Sequence, residues 1–265
     1  MKYRHKIKFL FCILLLTIET VNGQSLLAPA GEGFQVSFAT GNVQYKDYLQ
    51  NGLRNNGVNL SLGVHYAADK QSLNHQAGLN IDFAVLWSRY WGGLDNTYLQ
   101  PNIYYRLLTT VNEKIQLGGT VNYSPLFYRN EYWDSHHQYW RTNINAGFSA
   151  CFQMPVNPKW KMFVPINLPL VGFVSRPPAD RSLILNEPDL TLGDILKPMH
   201  SDFQFVAIGY KYFEIETGIF FGIKLPSNRN ITCGYKILYE QTALSLKSQL
   251  FTNQISVQYY FKKSK

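Results

Sequence analysis

The sequence predicts an all-β fold, an antiparallel transmembrane β-barrel of about ten strands, with twelve also possible. Hydrophobic and polar side chains alternate with a period of two through most of the chain, which is the pattern of strands with one apolar face. The composition is 15% aromatic and only 16% charged, which is unusual for a soluble protein of this length. Strands that turn their apolar faces to lipid would explain both observations.

The first 23 residues have the features of a secretory signal peptide. Basic residues at positions 2, 4, 6 and 8 precede the apolar run 9–18, and cleavage is expected after Gly23. A membrane anchor is the alternative, but the run is about half of the ~20 residues that a spanning helix needs. No later stretch is long and apolar enough, so the mature chain would cross a membrane only as strands. We expect a signal peptide at 1–23 and a single barrel domain at 24–265.

The alternation delimits the strands one by one. It is clearest in the segments 34–38, 58–66, 77–87, 143–154 and 254–261. Weaker runs occupy 98–108, 114–127, 160–174, 203–225 and 231–240. The run 203–225 is too long for one plain strand and changes phase near Tyr212 and Phe213, which indicates a bulge or a tight turn. A turn there would raise the strand count towards twelve.

The connections between these strands fall into two classes. Four connections are short, near 68–74, 110–113, 156–158 and 226–230. The other five are mostly longer, near 42–56, 91–96, 129–138, 175–201 and 241–248. Short periplasmic turns and longer extracellular loops are typical of outer-membrane barrels, which have an even number of strands when they are bacterial single chains.

The chemistry of the polar face indicates which side of the strands is inside. That face carries mainly Gly, Ser, Asn, Gln and Thr rather than the Lys and Glu of a water-facing surface. The apolar face carries aromatic residues towards the strand ends, such as Tyr66 and Trp87, as in the interfacial girdles of membrane barrels. A soluble secreted barrel or sandwich, with its apolar face inside, is the alternative.

The closing stretch "NQISVQYYFKKSK" resembles the C-terminal aromatic signal by which the barrel assembly machinery recognises outer-membrane proteins. Tyr259 and Phe261 carry this resemblance, and the tail that follows, from Lys262 to Lys265, departs from the usual ending on the aromatic residue. The Asn-Gly-Gln sequence at the expected cleavage site resembles secreted proteins of the Bacteroidetes. These resemblances imply a Gram-negative outer-membrane barrel of no specific family with an assigned activity. Outer-membrane lipid and the assembly machinery are the implied partners, together with a small solute or a surface ligand.

Nucleic acid, cofactors and metals are not expected. The first 23 residues contain four of the basic residues and one acid, so about +5 of the formal charge of +8 remains in the mature chain, much of it in the C-terminal tail. The sequence contains no P-loop, dinucleotide-binding or H-E-x-x-H motif. Cys151 and Cys233 fall on opposite faces of their strands and should not form a disulfide.

Seven charged residues fall on the predicted inward face: Asp82, Arg106, Glu214, Glu216, Lys224, Lys236 and Glu240. Charges inside a barrel are costly unless they are paired, so a network of ion pairs in the lumen is expected. A structural network is the simplest interpretation, and a proton path or a ligand site is the alternative.

The loop sequence "RNEYWDSHHQYW" contains the candidate catalytic residues Asp134, His136 and His137. It is loosely similar to the rim of omptin-type surface proteases, which have acidic residues and an Asp-His pair there. The leading functional hypothesis is a non-enzymatic barrel that displays loops for binding or permits restricted passage of a small solute. The alternative is a barrel-rim hydrolase, omptin-like or phospholipase-like. Metal binding by the two histidines and a plain surface loop are the other interpretations of this segment.

Overall fold

The computed structural model describes residues 32–47, 54–70, 73–88, 96–130, 137–176, 183–184, 199–200, 202–209, 211–225, 229–244 and 247–262. The predicted signal peptide, Asp134, His136, the C-terminal lysines after Lys262 and most of the loop 175–201 lie outside these residues. The described part of the chain contains no helix that is long and apolar enough to span a membrane.

Twelve strands are present, ten of them long and two short. The long strands are β1 (Glu32–Asp47), β2 (Arg54–Lys70), β3 (Leu73–Ser88), β4 (Asn96–Asn112), β5 (Ile115–Asn130), β6 (His137–Pro155), β7 (Trp160–Ser175), β10 (Tyr212–Lys224), β11 (Asn230–Ala243) and β12 (Lys247–Lys262). The short strands are β8 (Leu183–Ile184) and β9 (Gln204–Ala207). Because β8 and β9 only extend the edges of longer strands, the wall consists of the ten long ones.

The ten long strands form a closed antiparallel barrel. Each pairs with its neighbours along the chain, β1 pairs with β12, and β7 pairs with both β6 and β10. The pairing of β1 with β12 runs from Gly33↔Lys262 to Asp47↔Ser248 without a register shift. The predicted fold class is therefore confirmed.

The two ends of the barrel differ in the length of their connections. The turn end, where Glu32 and Lys262 lie, has the connections 71–72, 113–114, 156–159 and 225–229. The loop end has the connections 48–53, 89–95, 131–136, 176–203 and 244–246. This arrangement agrees with the asymmetry that the sequence predicts.

The phase change in the run 203–225 is a bulge. Strands β9 and β10 follow each other along the same edge of β7, where Ala207 pairs with Val171 and Glu216 pairs with Asn167. The chain advances nine positions between these two pairs while β7 advances four. The chain leaves the ladder after β9, where Gly209 has a φ of 137°. A bulge leaves the strand direction unchanged, so the barrel has ten strands.

Replacing Gly209 with alanine should cost about 1–3 kcal/mol of the free energy of unfolding, because its φ lies in a region that L-residues rarely adopt. The new Cβ would meet no atom within 4 Å, so the loss would come from the backbone alone. Urea titration of the refolded protein would measure it. Gly119→Ala is the control, since its Cβ would lie 3.5 Å from the Gly147 carbonyl in ordinary contact. Equal stability of the two variants would contradict this account.

Prolines accompany two irregularities in β7. The ladder between β7 and β10 is interrupted between Thr217 and Phe220, opposite Pro165, and the Thr217 hydroxyl donates a hydrogen bond to the Pro165 carbonyl at 3.0 Å. Between β6 and β7 the register shifts next to Pro169. Because proline has no backbone N–H, these positions cannot donate to the ladder.

The distribution of side chains is the inverse of that in a soluble barrel. Large apolar side chains cover the outer wall; Leu62 is 61% exposed and Ile255 is 65% exposed. Polar side chains fill the interior, where Asn59 is 0% and Ser149 1% exposed. As predicted, Cys151 is buried on the inside, Cys233 is exposed on the outside, and they form no disulfide.

Candidate functional site in the barrel interior

The three candidate catalytic residues of the loop "RNEYWDSHHQYW" are only partly placed. Asp134 and His136 lie outside the described residues. His137 is the first residue of β6, where its backbone pairs with Ile184 of β8. The rim-hydrolase hypothesis therefore stays a prediction.

The barrel interior contains a chamber of about 130 Å³ that is lined mainly by polar side chains. Six of the seven charged residues predicted to face the lumen line it: Asp82, Arg106, Glu214, Glu216, Lys236 and Glu240. The seventh, Lys224, is exposed near the turn end of β10. The role of the network stays a prediction.

Glu216 is the centre of the largest ion network in the chamber. The Lys236 ammonium donates to Oε2 of Glu216 at 3.0 Å, and the Asn167 amide donates to Oε1 at 2.7 Å. The Arg106 guanidinium lies 3.9 Å from the same Oε1. Two cations thus share one carboxylate, which offsets part of the cost of placing these charges inside the barrel.

His65 connects three strands beside this network. Its Nε2 lies 2.9 Å from the Ser37 hydroxyl, and its Nδ1 lies 2.8 Å from the Tyr104 hydroxyl. The Arg106 guanidinium lies 5.2 Å from the centre of the Tyr104 ring, within the range of a cation–π contact. Both imidazole nitrogens are therefore in hydrogen-bonding contact, and the ring is held in one orientation.

A second group of carboxylates lies towards the loop end. Glu214 of β10 and Glu240 of β11 are directly opposite each other in the ladder. Glu240 receives the Arg141 guanidinium at 2.7 Å and the Asn143 amide at 2.5 Å. Oε2 of Glu214 accepts hydrogen bonds from the Tyr212 hydroxyl at 2.6 Å and from the amide of Asn145. The side chains of β6 thus complete a site whose acids come from β10 and β11.

Sequence reasoning placed the two acids but missed their partners on β6. Asn143 and Asn145 lie on the polar parity of the predicted strand, so their inward direction was available from the pattern. Arg141 precedes the predicted alternating segment, and nothing in the sequence indicated that its partner lies 99 positions away.

An apolar layer, which we call the loop-end layer, closes the interior between the chamber and the loops. Its members are all at most 5% exposed: Val43, Tyr45, Ala84, Leu86, Tyr98, Leu126, Tyr128, Tyr139 and Leu250. The rings of Tyr45 and Tyr128 lie 4.9 Å apart. An ion pair between Arg176 and Asp47 lies against this layer: Nη2 of Arg176 is 3.0 and 3.2 Å from the two carboxylate oxygens. The Tyr45 hydroxyl donates to the same carboxylate.

Bulky side chains also fill the interior on the other side of the chamber, towards the turn end. We call this set the turn-end layer; its members are at most 4% exposed: Leu108, Phe163, Phe220 and Tyr260. Phe163 and Phe220 pack with Cys151, and Tyr260 packs on Ala67. The chamber therefore has buried bulky side chains on both sides along the barrel axis.

The polar groups of the chamber do not form a typical metal centre. Within the described part of the chain, no group of three His, Cys, Asp or Glu side chains is arranged to hold a metal ion. What the arrangement offers is hydrogen-bond donors and acceptors, with carboxylates next to amide oxygens.

Comparisons with known proteins yield similar architectures at very low sequence identity. No family model and no curated protein matches the sequence. Among solved structures, the β domain of the Bordetella autotransporter BrkA has a TM-score of 0.46 at 9% identity, covering 88% of this chain and 100% of that one. The Escherichia coli outer-membrane protease OmpT has a TM-score of 0.46 at 6% identity, covering 86% and 97%. The translocator domain of the Neisseria meningitidis autotransporter NalP has a TM-score of 0.41 at 9% identity, covering 97% and 94%.

Proposed function

We propose that this chain is an integral protein of a Gram-negative outer membrane. The support is the outer wall, on which large apolar side chains are exposed from strand to strand, among them Phe38, Phe83 and Phe221. Exposing such a surface to water costs about 25 cal/mol for each Å² of apolar area. Contact with lipid removes that cost. A polar interior is also expected for such a barrel, since membrane barrels alternate apolar residues facing lipid with polar residues facing the lumen.

Within the membrane, we propose that the barrel is a sealed, non-enzymatic scaffold that displays its loop-end connections for binding. The observation that carries this proposal is that the chamber lies between the loop-end layer and the turn-end layer. A chamber of about 130 Å³ is also small beside ligand pockets of roughly 300–1,000 Å³. Passage of solutes would require both layers to move, so a permanently open pore is disfavoured.

Planar-bilayer recording of the refolded protein tests the sealed state. The wild-type barrel is expected to produce no steady conductance at any voltage, because bulky side chains occupy the interior on both sides of the chamber. A variant trimmed in both layers, Tyr98→Ala and Tyr128→Ala with Phe220→Ala and Tyr260→Ala, should conduct. This variant serves as the positive control, because its current shows that the barrel inserts in the assay.

Steady single-channel steps from the wild type would overturn the sealed-scaffold proposal and favour restricted solute passage. Heat-modifiable migration on a gel, measured on the same preparations, separates a silent barrel from an unfolded one. A folded membrane barrel resists detergent at room temperature and unfolds on boiling, so both proteins should shift in mobility.

A further inference from the structure

We propose that the chamber holds a small cation with N–H donors, of the size of ammonium or methylammonium, between Glu214 and Glu240. This proposal goes beyond the scaffold function, because it concerns an occupant of the interior rather than the loops. It rests on the charge balance of the chamber, on the cross-strand position of the two acids and on two amide oxygens that have no hydrogen-bond partner in the described part of the chain.

The charge balance leaves one carboxylate in excess. Among the described residues that face the chamber or contact its acids, the carboxylates are Asp82, Glu214, Glu216 and Glu240, and the cations are Arg106, Arg141 and Lys236. Lys236 and Arg106 both form ion pairs with Glu216, and Arg141 forms an ion pair with Glu240. Two of the four carboxylates, Asp82 and Glu214, form no ion pair with any described residue. Asp82 accepts a hydrogen bond from the Gln254 amide, and the contacts of Glu214 are the neutral Tyr212 and Asn145.

The position of Glu214 makes its lack of a cation costly. It is the direct ladder partner of Glu240, and side chains so placed have Cβ atoms about 4.5–5.5 Å apart. Like charges in this position destabilise a sheet. Arg141, from the β6 side, forms its ion pair with Glu240 and not with Glu214. A cation between the two carboxylates would remove the repulsion.

Two amide oxygens provide the independent sign of a ligand. Asn143 is 2% and Asn145 is 3% exposed, and both side chains line the chamber. Each uses its amide nitrogen to donate to a carboxylate, Asn143 to Glu240 and Asn145 to Glu214. This fixes the orientation of each amide, since an ionised carboxylate only accepts hydrogen bonds. The two Oδ1 atoms are buried and have no hydrogen-bond partner among the described residues.

The donors in this group, from Arg141, Tyr212 and the two amide nitrogens, are already used by the carboxylates, whereas the two amide oxygens are not used. Two carboxylates and two amide oxygens match a cation that donates several hydrogen bonds, as an ammonium group does. A quaternary ammonium has no N–H to donate, and it is bulkier in a chamber of about 130 Å³. The site therefore selects a small protonated amine over a bulky or donor-free cation.

The test is thermal unfolding of protein refolded in a concentration series of methylammonium chloride, with ionic strength held constant by tetramethylammonium chloride. The wild type should show a saturable rise in Tm, on the order of 3–6 °C at ten times the dissociation constant. Glu214→Gln should lose the rise, because it removes one of the two facing carboxylates between which the cation would lie. Asp82→Asn is the matched control: it also neutralises a chamber carboxylate, but one outside the Glu214–Glu240 pair, and should keep the rise.

Two results would overturn the proposal. A wild-type Tm that does not respond to methylammonium would mean that a proton alone neutralises the acids. An equal rise in sodium chloride would mean that any small cation suffices and that the N–H donors are irrelevant. If Glu214→Gln does not fold, Asn145→Ser, which removes one amide oxygen, should show a weakened response instead. Bilayer conductance is measured separately, so failure here leaves the scaffold proposal standing.

Discussion

Replacing Arg141 with methionine is expected to lower the free energy of unfolding by about 3–5 kcal/mol, the range for breaking a buried ion pair on one side. Arg141 is 0% and Glu240 2% exposed, and their charged atoms are 2.7 Å apart. Methionine fills much of the space but leaves the Glu240 carboxylate with the neutral Asn143 amide and without its cation. Arg141 also donates to the Ser248 hydroxyl at 3.1 Å, and that contact is lost as well. Urea titration of the refolded protein in micelles, followed by tryptophan fluorescence, measures the change.

The double variant Arg141→Met with Glu240→Met is the control for this loss. Because removing both members of a buried pair also removes their desolvation cost, it should recover most of the stability. A double variant as unstable as the single one would show that the loss comes from packing or from the contact with Ser248, and not from an isolated carboxylate.

Replacing Leu62 with arginine is expected to cost about 2–4 kcal/mol, the range for a basic residue facing lipid near the bilayer midplane. Leu62 is 61% exposed on the outer face of β2. In water the same change would cost little, since an exposed arginine is well solvated. The stability in lipid vesicles, compared with that of the wild type, therefore reports directly on whether this face contacts hydrocarbon.

Asn56→Arg is the matched control, on the same strand and the same face but near the loop end. Basic substitutions near the membrane interface cost roughly 0–1 kcal/mol, so this variant should be close to the wild type. Equal and small effects at both positions would contradict a transmembrane barrel and would favour a soluble one.

Much of the wall follows from the sequence because a strand repeats every two residues. The alternation places Leu62 outside and Ser61 inside without any knowledge of neighbouring strands, and the structure confirms it. The bulge at Gly209 was also indicated, as a break in the period near Tyr212. Bulges and turns interrupt the period in the same way, so only the pairing with β7 distinguishes them.

The closed interior was not predictable in the same way. Val43 and Tyr45 lie in the stretch 42–56 that the sequence pattern assigned to a loop, whereas β1 continues to Asp47 and places both side chains inside the barrel. Their packing with Tyr128 depends on which strands lie across the barrel. That arrangement is a property of the closed sheet and not of any one segment.

For the candidate site, the sequence predicts which charges face inwards but not which of them meet. Glu216 joins Lys236 from the neighbouring strand β11 and Arg106 from β4, across the barrel. The partnership of Glu240 with Arg141 likewise depends on strand stagger, which sets the heights at which distant strands face each other. Asn143 and Asn145 are neutral, so their charge gave no reason to predict that they bind the two acids.

The pairing of β1 with β12 has a consequence for how the barrel forms. The amide of Gln35 donates to Gln258, 223 positions away, at 2.6 Å. Bringing together points so far apart costs about 5 kcal/mol of chain entropy by the (3/2)RT ln n relation, whereas strands joined by short turns meet at little cost. The wall should therefore grow by successive hairpins, with the ring closing last. Until the final strand is made and docked, both edges of the growing sheet remain open to unwanted pairing, so the last step of assembly is also the one that protects the chain from aggregation.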